Sequence, residues 1–277
     1  GDIYAMGGLP ETALAIATVP AARPAIVEED LFHMLKGGTE ILEAAGAVLV
    51  GGHSAEGAEL ALGFAVTGRT RPGRLMRKGG LRPGDRLILT KPLGTGVILA
   101  AEMRGRAGAR AFSAAIRAML QPAAAASACL AAHGATACTD TTGFGLLGHL
   151  LEMLTASGMD ARLDPDAIPA LDGALALLAG GLTSSLDGAN RTALSALANA
   201  DPDTPLAALL VDPQTAGGLL AGVPAERAQS CLDELYRLGY QAALIGVVAA
   251  RDGAAPRVSF DPGCVRATEL PVAAAAG

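Results

Sequence analysis

Ala137-Cys138-Thr139-Asp140-Thr141-Thr142-Gly143-Phe144-Gly145-Leu146-Leu147-Gly148-His149 (residues 137–149) carries more structural information than any other stretch of this chain. A short apolar segment runs into Asp140, a Gly143-x-Gly145 loop follows, and Leu147, Leu151 and Leu154 then recur at helical spacing. The order reads as strand, glycine loop and helix. An aspartate at such a junction is by default a helix cap. A carboxylate beside a glycine loop also suits Mg²⁺, a hard cation that takes carboxylate and phosphate oxygens together.

The same character recurs at Asp2-Ile3-Tyr4-Ala5-Met6-Gly7-Gly8, at Gly51-Gly52-His53-Ser54 and from Asp212 to Gly218. Glycine lets backbone N–H groups approach a ligand closely, so such loops suit phosphate oxygens. Taken singly, each reads as a tight turn or cap; the four together point to phosphate. His53 is balanced between a ligand role and a surface role. His149 sits among apolar helical positions and reads as packed or partly exposed, and His33 and His133 as surface residues. Lys91 precedes a glycine loop without the order of a P-loop, so it reads as a solvated lysine. Cys138 has nothing near it in sequence to activate a thiol and reads as a buried structural residue.

Working outward, residues 10–22 and 27–45 carry helix-like spacing, and Ala47–Val50 reads as a buried strand ending at Gly51-Gly52. Leu60, Leu62, Phe64 and Val66 alternate as in a half-buried strand. The Arg-, Gly- and Pro-rich stretch at 70–84 marks a domain boundary. Beyond it come a strand at 87–90, helices around Phe112–Leu120 and 147–154, and a strand at Leu209–Val211. A helix at 225–238 and a strand at 242–249 complete the pattern. The mixture, without strict βαβ repetition, predicts an α+β fold with domains at 1–72 and 80–250 and a loosely ordered tail at 251–277.

The 277 residues are 51% hydrophobic, yet hold only five Phe, three Tyr and no Trp, so the core is built from Leu, Val, Ile and Ala. A net charge of −6 gives no electrostatic case for nucleic acid. No apolar run reaches the roughly 18–20 residues of a membrane span. Cys129, Cys138, Cys231 and Cys264 are widely spaced without a C-x-x-C pair, which speaks against a disulfide framework or zinc site and for a reducing cytoplasm.

Seven segments in this order resemble selenophosphate synthetases: DIYAMGG (2–8), VGGHS (50–54), ELALGFAVTG (59–68), GDRLILTKPLGTG (84–96), ACTDTTGFGLLGH (137–149), SSL (184–186) and DPQTAGGLL (212–220). The likeness runs to about Val248. The wording of ACTDTTGFGLLGH and LTKPLGTG speaks against thiamine-phosphate kinases and aminoimidazole ribonucleotide synthetases, which share the fold. The resemblance implies that two-domain fold, with an N-terminal α/β domain that pairs with its twin to make a homodimer. It implies a reaction in which ATP, selenide and water give selenophosphate, AMP and phosphate. It places Asp2 and Asp140 as ligands of Mg²⁺, and Gly51, Gly52 and His53 in contact with ATP. A non-catalytic module that binds nucleotide or dimerises is the alternative reading.

The family's glycine-rich loop, with its catalytic Cys or selenocysteine and its lysine, has no counterpart in residues 1–277, and the early strands with further metal-binding aspartates are also absent. The N-terminal domain is therefore expected to be incomplete, the coding sequence to continue upstream, and this stretch alone to be weakly active or inactive. The variant Gly52-His53-Ser54-Ala55-Glu56-Gly57, with Met119-Leu120-Gln121, resembles a branch in which this domain follows a flavin-dependent oxidoreductase.

Overall fold

The computed structural model describes residues 1–71, 73 and 75–266. The chain forms two compact units: Met6–Leu75, and Gly1–Ala5 together with the chain from Met76 on. It crosses between them within the Arg-, Gly- and Pro-rich stretch. The first helix, α1 (Asp2–Ala5), belongs to the larger unit.

In the smaller unit, β1 (Leu9–Pro20) is followed by α2 (Pro24–Ala44), β2 (Val48–Gly57) and β3 (Ala61–Arg69). The sheet order is β2-β1-β3, with β1 parallel to β2 and antiparallel to β3. The helix expected over residues 10–22 is thus a strand. Ala13, Ala15, Ala17 and Val19 are buried in strict alternation, a period of two that the small alanines disguise. Pro24 opens α2, where its fixed φ suits the first turn and its missing N–H costs nothing. The loop expected at Gly51–Ser54 is also a strand, paired residue by residue with Leu14–Ala17 after a register shift between Ala13 and Leu14. A Cβ on Gly52 would collide with the Ala15 carbonyl, so close strand approach alone demands glycine there.

The larger unit continues with β4 (Arg86–Leu89), α3 (Thr95–Glu102), α4 (Ala109–Leu120), α5 (Ala124–Ala132), β5 (Ala137–Asp140), α6 (Gly145–Ser157) and β6 (Met159–Leu163). Then come α7 (Ala174–Ala179), α8 (Asp187–Asn190), β7 (Leu197–Ala198), α9 (Pro205–Val211), β8 (Leu219–Val223), α10 (Ala225–Arg237), β9 (Ala243–Ala250) and β10 (Val258–Phe260). The strands make one mixed sheet in the order β5-β8-β4-β9-β6-β10-β7. Leu87 and Leu89 of β4 pack into one core with α3, α6 and α9, whereas Ile88 packs into another with α5 and α10. A sheet with helices against both faces follows.

Two expectations change here. Leu209–Val211 is the last turn of α9, not a strand. Thr204 accepts from the Ala207 N–H at 3.2 Å and Pro205 opens the helix, a start signal that the short apolar run obscured. The tail contributes β10, which lies parallel between β6 and β7, so residues 258–260 are ordered in the sheet; 267–277 lie outside the described residues. Among the described residues no single helix is long and apolar enough to cross a membrane.

Candidate active site: three loops at one end of the sheet

Because β4 and β5 both run antiparallel to β8, the residues after β4, the residues after β5 and those before β8 meet at one end of the sheet. These are the loops of LTKPLGTG, ACTDTTGFG and DPQTAGG. Thr141 donates to the Gly218 carbonyl twice, from its N–H at 2.9 Å and its hydroxyl at 2.8 Å. The Leu219 N–H donates to Thr90 Oγ1 at 2.8 Å, and the Gln214 N–H to the Thr142 carbonyl at 2.9 Å. Gln214 Oε1 accepts from the N–H groups of Gly94 and Thr95 and from the Thr95 hydroxyl. A Cβ on Gly218 would come within 2.6 Å of Lys91 N, and one on Gly217 would strike the Thr141 carbonyl. The glycines of DPQTAGG are therefore needed for packing of loop against loop.

Lys91 is not solvated as expected. It is buried, and its Nζ donates to the carbonyls of Ala118 (2.9 Å), Gln121 (2.7 Å) and Ala216 (2.9 Å). Two of these acceptors close the C-terminal end of α4, where a cation also meets the negative end of the helix dipole. The third belongs to Ala216, held at φ 48°, a left-handed conformation costly for alanine. Burial pushes the ammonium down to about 8, so it remains charged at neutral pH.

Asp212 is buried against the start of α3. Burial pushes its carboxyl up to about 7, although the Val97 N–H, the Gln214 amide and the Gly96 N–H all donate to it. The folded state thus holds a proton that the unfolded chain, with an ordinary carboxylate near 3.8, releases. Stability contributed by this proton is full below pH 4 and is lost as pH rises through 7. Between pH 5 and 7 the loss is about 2 kcal/mol. Urea unfolding at the two pH values is expected to show this decline in the parent and a flatter profile in Asp212→Asn; equal slopes would rule it out.

Asp140 ends β5 and is only partly buried. The residue at the cap of α6 is Phe144, with no side-chain cap bond, so Asp140 is not the helix cap its sequence position suggested. Among the described residues its carboxylate has no hydrogen-bond or ion-pair partner. Its Oδ2 lies so near the chain start that a Cβ on Gly1 would come within 2.6 Å. The structure thereby brings α1, with the exposed Asp2, against Asp140. Tyr4 is fixed there by the Ser127 hydroxyl, which donates to its carbonyl at 2.6 Å. Asp2 and Asp140 both offer carboxylate oxygens, the donor type that suits Mg²⁺.

Beside Asp140, Thr142 Oγ1 lies 3.2 Å from His149 Nε2, and His149 Nδ1 lies 3.3 Å from Glu152 Oε2, which also meets Lys78 Nζ at 2.7 Å. Burial would raise the Glu152 carboxyl, but Lys78 and His149 outweigh it and hold it below the usual range. His149 is accordingly packed, and it orients the loop through Thr142. Asn190 of α8 adds a clamp, donating to the Gly143 carbonyl at 2.8 Å and the Val211 carbonyl at 3.0 Å. Sequence reasoning missed the roles of Gln214, Asn190 and Glu152; only Gln214 stood inside a noted motif. Burial pushes the Cys138 thiol up to about 12 and the Cys264 thiol up to about 11, and raises Cys129 and Cys231 as well, so all four are protonated at neutral pH. Gly51, Gly52 and His53 belong to the smaller unit, on β2, with His53 exposed and paired with Ile16.

Residues 82–259 match the family described as AIR synthase related protein, C-terminal domain, and residues 1–70 match its N-terminal domain. The selenide, water dikinase of Geobacter metallireducens is 40% identical over 257 residues, covering 89% of this chain and 72% of that protein. That of Desulfitobacterium hafniense Y51 is 42% identical over 251 residues, covering 90% and 73%. The chain belongs to the selenide, water dikinase family. Solved structures carry the fold beyond that family. Thiamine-monophosphate kinase from Stenotrophomonas maltophilia K279a superposes with a TM-score of 0.71 at 20% identity, covering 93% of this chain and 74% of that one. The hydrogenase maturation protein HypE of E. coli gives 0.69 at 19%, covering 92% and 72%. The selenide, water dikinase relatives thus define the kinship, and the more distant structures show how widely its two-domain frame is shared.

Proposed function

We propose that this chain carries out ATP-dependent synthesis of selenophosphate, in which ATP, selenide and water give selenophosphate, AMP and phosphate. The observation that carries the reading is Asp140, at the end of a sheet strand in a cradle of three interlocked loops, its carboxylate without a partner among the described residues and faced by α1. Asp2 and Asp140 hold Mg²⁺, which when bound neutralises phosphate charge and orients the scissile bond. Gly51, Gly52 and His53 take the nucleotide contact. The loops contribute rigidity: the hydrogen bonds among Thr90, Thr141, Gln214 and Gly218 hold Asp140 in place before substrate arrives.

The chain works as a homodimer in the cytoplasm. Support for the dimer is the outer face of the smaller sheet, where Leu14 and Ile16 are 47% and 59% exposed. Ile16→Asp is expected to halve the mass found by light scattering; an unchanged mass would remove this face from the interface.

The function is tested with the complete gene product, Mg²⁺ and ATP, following nucleotides and phosphorus species by ³¹P NMR. AMP and selenophosphate are expected to form only when selenide is added. ADP formation independent of selenide would instead mark an ordinary kinase, and nucleotide binding without turnover a non-catalytic module.

A further inference from the structure

Cys129 and His133 are four residues apart at the end of α5 and so share one helix face. Cys231, on α10, meets them from the neighbouring helix. The two sulfurs are 3.9 Å apart, and Cys129 Sγ lies 3.8 Å from His133 Nδ1. All three donor atoms lie within 4.8 Å of one another. Tetrahedral Zn²⁺, with bonds of about 2.3 Å to sulfur and 2.0–2.1 Å to nitrogen, sets its ligands at about 3.8 Å (S···S) and about 3.6 Å (S···N). The two spacings from Cys129 Sγ, to Cys231 Sγ and to His133 Nδ1, are within a few tenths of an ångström of those values, and the third pair lies within 4.8 Å. The widely spaced cysteines argued against zinc, and His133 read as a surface residue. Neither reading anticipated that helix packing would join residues 129, 133 and 231.

We propose that Cys129, His133 and Cys231 form a site for a borderline-soft divalent cation, Zn²⁺, clipping α5 to α10. Both cysteines are buried, while the His133 side chain is 16% exposed and forms the entry. Glu234, one turn beyond Cys231, places Oε2 3.7 Å from His133 Nε2. A carboxylate on that side favours the Nε2–H tautomer and leaves Nδ1 as the ligand, as in the usual outer arrangement of a metal-bound histidine. Nδ1 lies 3.0 Å from the Cys129 carbonyl oxygen, so the ring must turn from that oxygen to bind a cation. Three protein donors leave the fourth position to water. The site is separate in chemistry from Asp2 and Asp140, which offer oxygens alone. It lies on the helix that fixes α1, since Ser127 of α5 holds the Tyr4 carbonyl.

The test uses the whole chain, stripped with chelator and titrated with Zn²⁺, and with Co²⁺ as a spectroscopic probe. One Zn²⁺ per chain is expected, and Co²⁺ should give thiolate-to-metal charge transfer with the intense visible bands of tetrahedral coordination. Cys231→Ala should abolish the charge-transfer band. His133→Gln, at a partly exposed position that leaves the core intact, should weaken Co²⁺ binding by at least ~10-fold. Asp140→Asn should leave Zn²⁺ uptake unchanged, which separates this site from the proposed Mg²⁺ site. Co²⁺ spectra lacking thiolate charge transfer, or Zn²⁺ uptake identical in parent, Cys231→Ala and His133→Gln, would overturn the proposal.

Discussion

Asp140→Asn is expected to lower selenide-dependent AMP formation by roughly 10³-fold, the several kcal/mol that a metal ion supplies by stabilising transition-state charge. The substitution keeps the shape of the side chain and removes its charge. Among the described residues Asp140 neither caps α6 nor bonds another side chain, so stability should stay within about 0.5 kcal/mol of the parent. The separation of the two effects is the informative part. Parent-like turnover at saturating Mg²⁺ would remove Asp140 from the site. A large loss of stability would instead mean that its carboxylate serves the fold.

Lys91→Met should do the opposite, unfolding the larger unit while touching none of the proposed ligands. Methionine fills similar space but donates nothing, so the carbonyls of Ala118, Gln121 and Ala216 lose their common partner. A carbonyl left without its donor costs about 1–3 kcal/mol where it is fully buried; these three bonds are part-buried, so water offsets much of that and the expected total is about 4 kcal/mol. Removing a buried charge offsets part of this, because burial alone already pulls Lys91 down to about 8. That relief is the smaller effect at neutral pH, where three acceptors and the end of α4 favour the ammonium. Urea unfolding of parent and variant measures the difference; a midpoint shift worth less than about 1 kcal/mol would show that the three carbonyls find other partners.

Much of the fold was legible where side-chain size varies along the sequence. The alternation of Leu62, Phe64 and Val66 was enough to assign β3 as a strand, although all of β3 is exposed and not half-buried as expected, and the leucine spacing of α6 was enough to assign a helix. Where alanine carries the buried face the signal faded, and β1 was taken for a helix because Ala13, Ala15 and Ala17 contrast little with their neighbours. For the site, the motifs marked which loops matter but not what their residues do. Lys91 looked solvated because its three acceptors lie 27, 30 and 125 residues away. The cluster of Cys129, His133 and Cys231 was invisible for the same reason: its last member is 102 residues from its first. Local patterns report local structure, and both arrangements are made by long-range packing.

The placement of α1 bears on how the gene can be taken apart. Residues 1–5 fold with what comes after Met76, while everything between belongs elsewhere, so the larger body is stitched from two separate stretches of polypeptide. No single cut yields both bodies whole. A fragment starting at Met76 would remove Ala5 from the core cluster it shares with the residues around β5 and α5, and would strand the Ser127 hydroxyl where it now grips Tyr4. Excising the smaller body while rejoining residue 5 to residue 76 by a short linker respects the way the molecule is assembled.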